Sequence, residues 1–193
     1  MKGDDPCERV GGPQRCIGSV TITAIDPGPR QSAIVEYDGE RVVSGWIADN
    51  ADMLAALRRS IGRELAIEWI ESYGMAVGRD VFETCYWVGR FVEAWSAAGG
   101  NVTRIARRDV KLNLCGSARA KDPNVRQALI DRFPPTGGGK VPQVGTKAQP
   151  GPLHDVRTHL WSALAVAVTW ADGRRQSKIA ACNDLAGGII TGV

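Results

Sequence analysis

From Ser19 onward, short β-branched apolar runs alternate with longer segments of helical spacing. Val20 to Ile25 is apolar and β-branched, which suits a buried strand, and Asp26-Pro27-Gly28 ends it. Ser32 to Tyr37 and Arg41 to Ile47 read as two further strands, and the Asp38-Gly39 pair between them is a hairpin signal. The first unit is therefore a strand, a turn and an antiparallel pair.

Met53, Leu54, Leu57 and Ile61 then recur at helical spacing, which predicts a helix over 51–61 stopped by Gly62. Leu65 to Ile70 returns to strand character. A second helix is predicted over 78–97 with Val81, Phe82, Cys85, Val88, Val92 and Trp95 inward, closed by Gly99-Gly100. Val102 to Ala106 is a strand candidate. Asp109 suits the cap of a short helix ending before Gly116, and Asp122-Pro123 opens another through Val125, Leu129 and Phe133.

Residues 133–152 hold five prolines and five glycines and read as a long loop, a kind of segment that is usually functional or disordered. The last clear element is an apolar helix over 155–170. Residues 1–17 and 172–193 show no strong pattern and are expected as tails flanking one domain over 18–171. There is no internal repeat. Strands and helices alternating after a three-strand start imply an α/β sheet of mixed direction.

Composition narrows the class. With 193 residues, 44% apolar and 23% charged, the chain is globular and close to one ordinary domain. Its longest apolar stretch, Leu160 to Ala171, falls short of the roughly 20 residues a membrane span needs. The N-terminal residues lack the apolar core of a secretory signal. Five cysteines without a C-x-x-C pair and only two histidines leave few ligands for structural zinc, so a reduced, cytoplasmic protein is expected.

The net charge of +3 conceals an uneven distribution. Residues 1–100 carry 10 Lys/Arg against 15 Asp/Glu, whereas residues 101–150 carry 10 against 3. An acidic front half could hold metal and a basic third quarter could hold phosphates; ordinary surface charge fits the count equally well.

Metal-assisted phosphodiester cleavage needs carboxylates converging from separate elements, because hard cations prefer oxygen ligands. Asp26 fits, at the end of a buried strand before a sharp turn, although an aspartate that merely begins the turn fits the same pattern. Glu68 lies inside the apolar run Leu65 to Ile70, where an unpaired carboxylate is costly and a partner is required. Glu71 is a rival in the following loop. Asp155 and His159 stand i, i+4 in the predicted last helix and would share a face. Arg104, Arg107, Arg108, Lys111, Arg119, Lys121 and Arg126 could follow a phosphate backbone or simply be solvated. Gly137-Gly138-Gly139-Lys140 lacks the spaced first glycine and the Ser/Thr after lysine of a nucleotide-phosphate loop, Val141 standing there instead. No small-molecule cofactor is therefore expected.

Taken together, Ile22 to Gly28 resembles the opening motif of RuvC-type Holliday junction resolvases, of the RNase H-like nuclease superfamily. Ala66-Ile67-Glu68 resembles their second acidic motif, Val110-Lys111 and Gly116 to Lys121 their DNA-contacting segment, and Leu160 to Val168 their final helix. Ser72-Tyr73-Gly74-Met75 after Glu68 is similar to the phage-encoded branch. The resemblance spans about residues 19–170. It implies an RNase H-like fold, a five-stranded mixed sheet with the first three strands antiparallel and helices on both faces.

The implied activity is hydrolysis of four-way junctions and related branched DNA during recombination and repair, by a homodimer, leaving 5′-phosphate and 3′-hydroxyl ends. Two Mg²⁺ or Mn²⁺ ions would be bridged by Asp26, with Glu68 on one and His159, joined by Asp155, on the other. Lys111, Lys121 and Arg119 would neutralise phosphates, with Arg107 and Arg108 in the same basic set. Tyr73 would stack on an unpaired base, or be an ordinary loop tyrosine. The dimer is expected through helix 78–97, with Tyr86, Trp87 and Phe91 on its outer side.

The chain departs from this pattern in the last helix, where the family commonly has two acids three apart; here those positions are His159 and Ser162. A less selective flap and fork nuclease, or a DNA-binding scaffold without activity, therefore stand as alternatives.

Overall fold

The computed structural model describes residues 20–60, 64–72, 74 and 76–187, the last seven by their backbone alone. The expected tail 1–17, the stop at Gly62 and Tyr73 lie outside the described residues. The strands are β1 (Ile22–Asp26), β2 (Gln31–Tyr37), β3 (Val42–Asp49), β4 (Glu64–Trp69) and β5 (Asn101–Ala106). The helices are α1 (Asn50–Leu57), α2 (Arg79–Ala97), α3 (Arg107–Cys115), α4 (Asp122–Arg132) and α5 (Leu160–Gly187).

One sheet forms, in the order β3-β2-β1-β4-β5. β1, β2 and β3 pair antiparallel, while β4 runs parallel to both β1 and β5. Alternation along the strands divides the core in two. Ile22 and Ala24 of β1, Ala66 of β4 and Ile105 of β5 pack with Val110, Val125, Leu129 and Leu164 from α3, α4 and α5. Ile25, Leu65 and Ile67 point the other way, onto Met53, Leu57, Val88 and Phe91 of α1 and α2. This is the mixed, two-faced sheet that the motifs implied.

The helix expected over 51–61 ends at Leu57, and α3 starts at Arg107, which puts Asp109 in its first turn and not at its cap. Three further expectations need correction. In α2 the buried stripe is Thr84, Val88, Phe91 and Trp95, so Phe91 is inside while Phe82 and Cys85 are outside, with Phe82 65% exposed. Both candidate stripes pass through Val88 and Trp95; Phe91 lies three residues from one and four from the other, and its ring fills more of the core than Val92 can. Gly100 closes this corner, because the Trp95 indole occupies the place a Cβ there would take.

The stretch 133–152 is also less loose than its composition suggests. It contains a 3₁₀ turn at Gly137–Gly139 and the bridges Thr136–Val141 and Gly145–Pro150. Phe133 before it and Leu153 after it are both in the core.

Last, α5 begins at Leu160 rather than 155 and continues past Trp170 to Gly187. Residues 172–187, expected as a tail, are thus helical. Asp172, in particular, is buried and binds across helices: Arg132 of α4 pairs with its Oδ1, and Asn113 of α3 donates to its Oδ2 at 2.9 Å.

Candidate active site

Period-two alternation places the site. Asp26 continues the β1 face that carries Ile22 and Ala24, Glu68 follows Ala66 on β4, and Arg107 follows Ile105 where β5 becomes α3. All three therefore lie on the α5 side of the sheet. β1 and β4 are in parallel register through Ile25–Ile67, so one step further Asp26 and Glu68 stand side by side at the strands' carboxyl ends.

The turn after Asp26 is pinned from below by two buried residues, Ser32 and Asn50. Gly28 N–H donates to Ser32 Oγ at 3.3 Å, Ser32 donates to Asn50 Oδ1 at 2.6 Å, and Asn50 Nδ2 donates to the Gly28 carbonyl at 2.9 Å. A side chain at Gly28 would run into the Gln31 carbonyl oxygen. Neither Ser32 nor Asn50 was a candidate from the sequence. The only signal was a polar residue at the start of α1, directly after a strand.

Two carboxylates withdrawn from water resist charging. Burial raises Asp26 above the ordinary aspartate range, against the opposing pull of His159 and Arg107. Burial first, and then the neighbouring Asp26, push Glu68 up to about 7, although Arg107 opposes the shift. Arg107 is the counter-charge: its Nη1 lies 3.4 Å from Glu68 Oε2 and its Nη2 2.5 Å from Asp122 Oδ1. Thus Arg107, expected among the phosphate contacts, faces inward in a mixed ion cluster. Asp122, read from the sequence only as a helix start, is the further acid of the site.

His159 joins from the opposite side, its Nδ1 3.3 Å from Asp26 Oδ2. Its carbonyl accepts from the Ser162 and Ala163 N–H groups, so it stands directly before α5 rather than within it. The preceding Thr158 has φ 38°, a left-handed conformation costly for a β-branched residue. That bend keeps the helix from starting earlier, and it separates His159 from Asp155. Asp155 lies between the buried anchors Leu153 and Val156 and points to solvent. It does not share a helix face with His159 and is not brought to the site.

His159 forms a ridge between two depressions. One, of about 740 Å³, is lined by Asp26, Gly28, Ile47, Ile70, Val81 and His159. The other, of about 570 Å³, is lined by Arg107, Asp122, Arg126, His159, Trp161 and Ser162. In the second, the Arg126 guanidinium stacks on the Trp161 ring, 4.8 Å from its centroid. Arg108, Arg119 and Lys121 are exposed and Lys111 is half-buried, all on α3 or on the connection into α4. Arg104 instead packs over Trp69 at 4.4 Å.

The donor chemistry suits a hard divalent cation, since Asp26 and Glu68 offer paired carboxylate oxygens whose mutual repulsion a cation would relieve. His159 is the third available donor. Among the described residues no three such groups already surround a single point.

By sequence the chain matches no family model and no curated protein. Its structure does match solved ones. RuvC of Thermus thermophilus superposes with a TM-score of 0.58 and 21% identity, over 81% of this chain and 96% of that one. The same protein in complex with Holliday junction substrate gives a TM-score of 0.58 and 21% identity, over 82% and 96%. The fold of this chain is the RuvC fold, the RNase H-like architecture expected from its motifs.

Proposed function

We propose that the protein is a divalent-metal-dependent endonuclease that cuts four-way junctions and related branched DNA, acting as a homodimer in the cytoplasm. The observation that carries this reading is the largely buried pair Asp26 and Glu68 at adjacent strand ends, with Asp26 and its contact His159 lining an open cleft. A RuvC of the same fold has been captured on a Holliday junction substrate, and that substrate class is carried over here.

Asp26 and Glu68 would hold Mg²⁺ or Mn²⁺, with His159 as the additional donor. When bound, such a metal supplies Lewis-acid polarisation of the phosphate and lowers the pKa of water. Asp26 and Glu68 are carried by the paired strands β1 and β4, which fix the two carboxylates that would hold the metal. Where it is not on the metal, His159, 76% exposed and in contact with Asp26, would exchange a proton with the departing or attacking oxygen. Lys111, Arg108, Arg119 and Lys121 would track flanking phosphates in a salt-dependent manner.

The test is cleavage of a labelled four-way junction beside a flap and a plain duplex, with Mg²⁺, Mn²⁺ or EDTA. Paired symmetric cuts in the junction, abolished by EDTA, are expected. Cuts in the flap as well would mark a broader debranching nuclease, and binding without cutting under either metal would overturn the enzymatic reading. Asp26→Asn is expected to abolish cleavage while leaving junction binding largely intact; retained cleavage would remove Asp26 from the site.

A further inference from the structure

Arg107 is held in an unusual way. Its guanidinium spans two carboxylates, yet the short contact, 2.5 Å, is to the solvent-facing Asp122, whose side chain is 75% exposed. The longer contact, 3.4 Å, is to Glu68, only 13% exposed. An ion pair whose sole task was to neutralise a buried acid would close on that acid. Arg107 instead is anchored at the rim by α4 and leans inward. The charge count is also informative: Asp26, Glu68 and Asp122 carry three negative charges when ionised, and Arg107 returns one. The remaining two match a single divalent ion.

We infer that Arg107 is the resident cation of this pocket, filling the place of a second divalent ion in the DNA-free protein, while Asp122 retains it when Glu68 turns to metal. Arg107 then presents the guanidinium edge released from Glu68 to a substrate phosphate, which a planar fork can bind through two oxygens. The inference rests on the proposed metal site and adds to it how many ions the free protein holds, and what occupies the other place.

The experiment is a Mn²⁺ titration of the full chain without DNA, followed by calorimetry and by paramagnetic resonance, on the wild type, Asp26→Asn, Arg107→Gln and Arg107→Lys. The wild type is expected to take one Mn²⁺ per chain and Asp26→Asn to lose it. Arg107→Gln, with the competing cation removed, should bind Mn²⁺ at least about fivefold more tightly or take a second ion. Arg107→Lys keeps a positive charge in the pocket and should still take one.

If Asp26→Asn titrates like the wild type, the metal site itself is wrong. If Asp26→Asn loses the ion but Arg107→Gln binds no more tightly than wild type, or if wild type already takes two, only the role of Arg107 is overturned. Should Arg107→Gln fail to fold, the Arg107 guanidinium resonances of the wild type serve instead. They should shift as Mg²⁺ is added, and unchanged resonances at saturation would overturn the inference.

Discussion

Glu68 is the side chain whose charge is most at odds with its place. Its carboxyl rises from an ordinary 4.5 to about 7 on folding, so folding favours the protonated form. Below about pH 4.5 both states are protonated and the stabilisation is complete; it is lost as the pH rises through 7. Glu68→Gln stays neutral throughout. In EDTA the variant should unfold like wild type near pH 4 but be more stable by about 1–3 kcal/mol near pH 8. Urea unfolding at several pH values checks this, and a gap that stays constant with pH would show that Glu68 is not desolvated. Glu68 was legible in the sequence because an acid inside an apolar strand needs a partner. Arg107 as that partner was not. A basic residue in a basic segment has no local pattern to distinguish the one facing inward, and a separation of 39 positions hides the contact.

Among the elements, all five strands follow from β-branched runs and turn residues, and their observed ends fall within two residues of the expected ones. The final helix was harder to bound. Its apolar half announces itself, but the polar continuation after Ala171 is set by tertiary contacts, chiefly those of Asp172 with Arg132 and Asn113. Its start is likewise set by the left-handed Thr158, which no residue preference predicts. Asp172 thereby fastens α3 and α4, the carriers of the basic side chains, to α5, the helix that starts directly after His159. Asp172→Ala leaves Arg132 without its buried partner and should lower stability by about 2 kcal/mol, read as a lower urea midpoint at unchanged slope. An unchanged midpoint would mean that the three helices are joined by apolar packing alone.

For the whole molecule, the outer face of α2 bears on assembly. Phe82 is 65% and Tyr86 56% exposed, and Arg90 stacks over Tyr86 and Trp87. The apolar side chains offered there differ from the expected set, since Phe91 is inside, but an aromatic face remains. If two copies join through it, sedimentation at micromolar concentration should show a dimer that Phe82→Glu converts to monomer; a monomeric wild type would count against the homodimer. Among the described residues no helix is long and apolar enough to cross a membrane. His159 separates two unlike depressions. The depression on one side is floored partly by Ile47, Ile70 and Val81, while the other presents Arg107 and Arg126. A strand draped over the ridge is therefore not free to lie in either direction, because its two flanks would meet unlike walls. If the proposed cleavage occurs there, the two new ends would lie against unlike surfaces, one largely apolar and one carrying arginines.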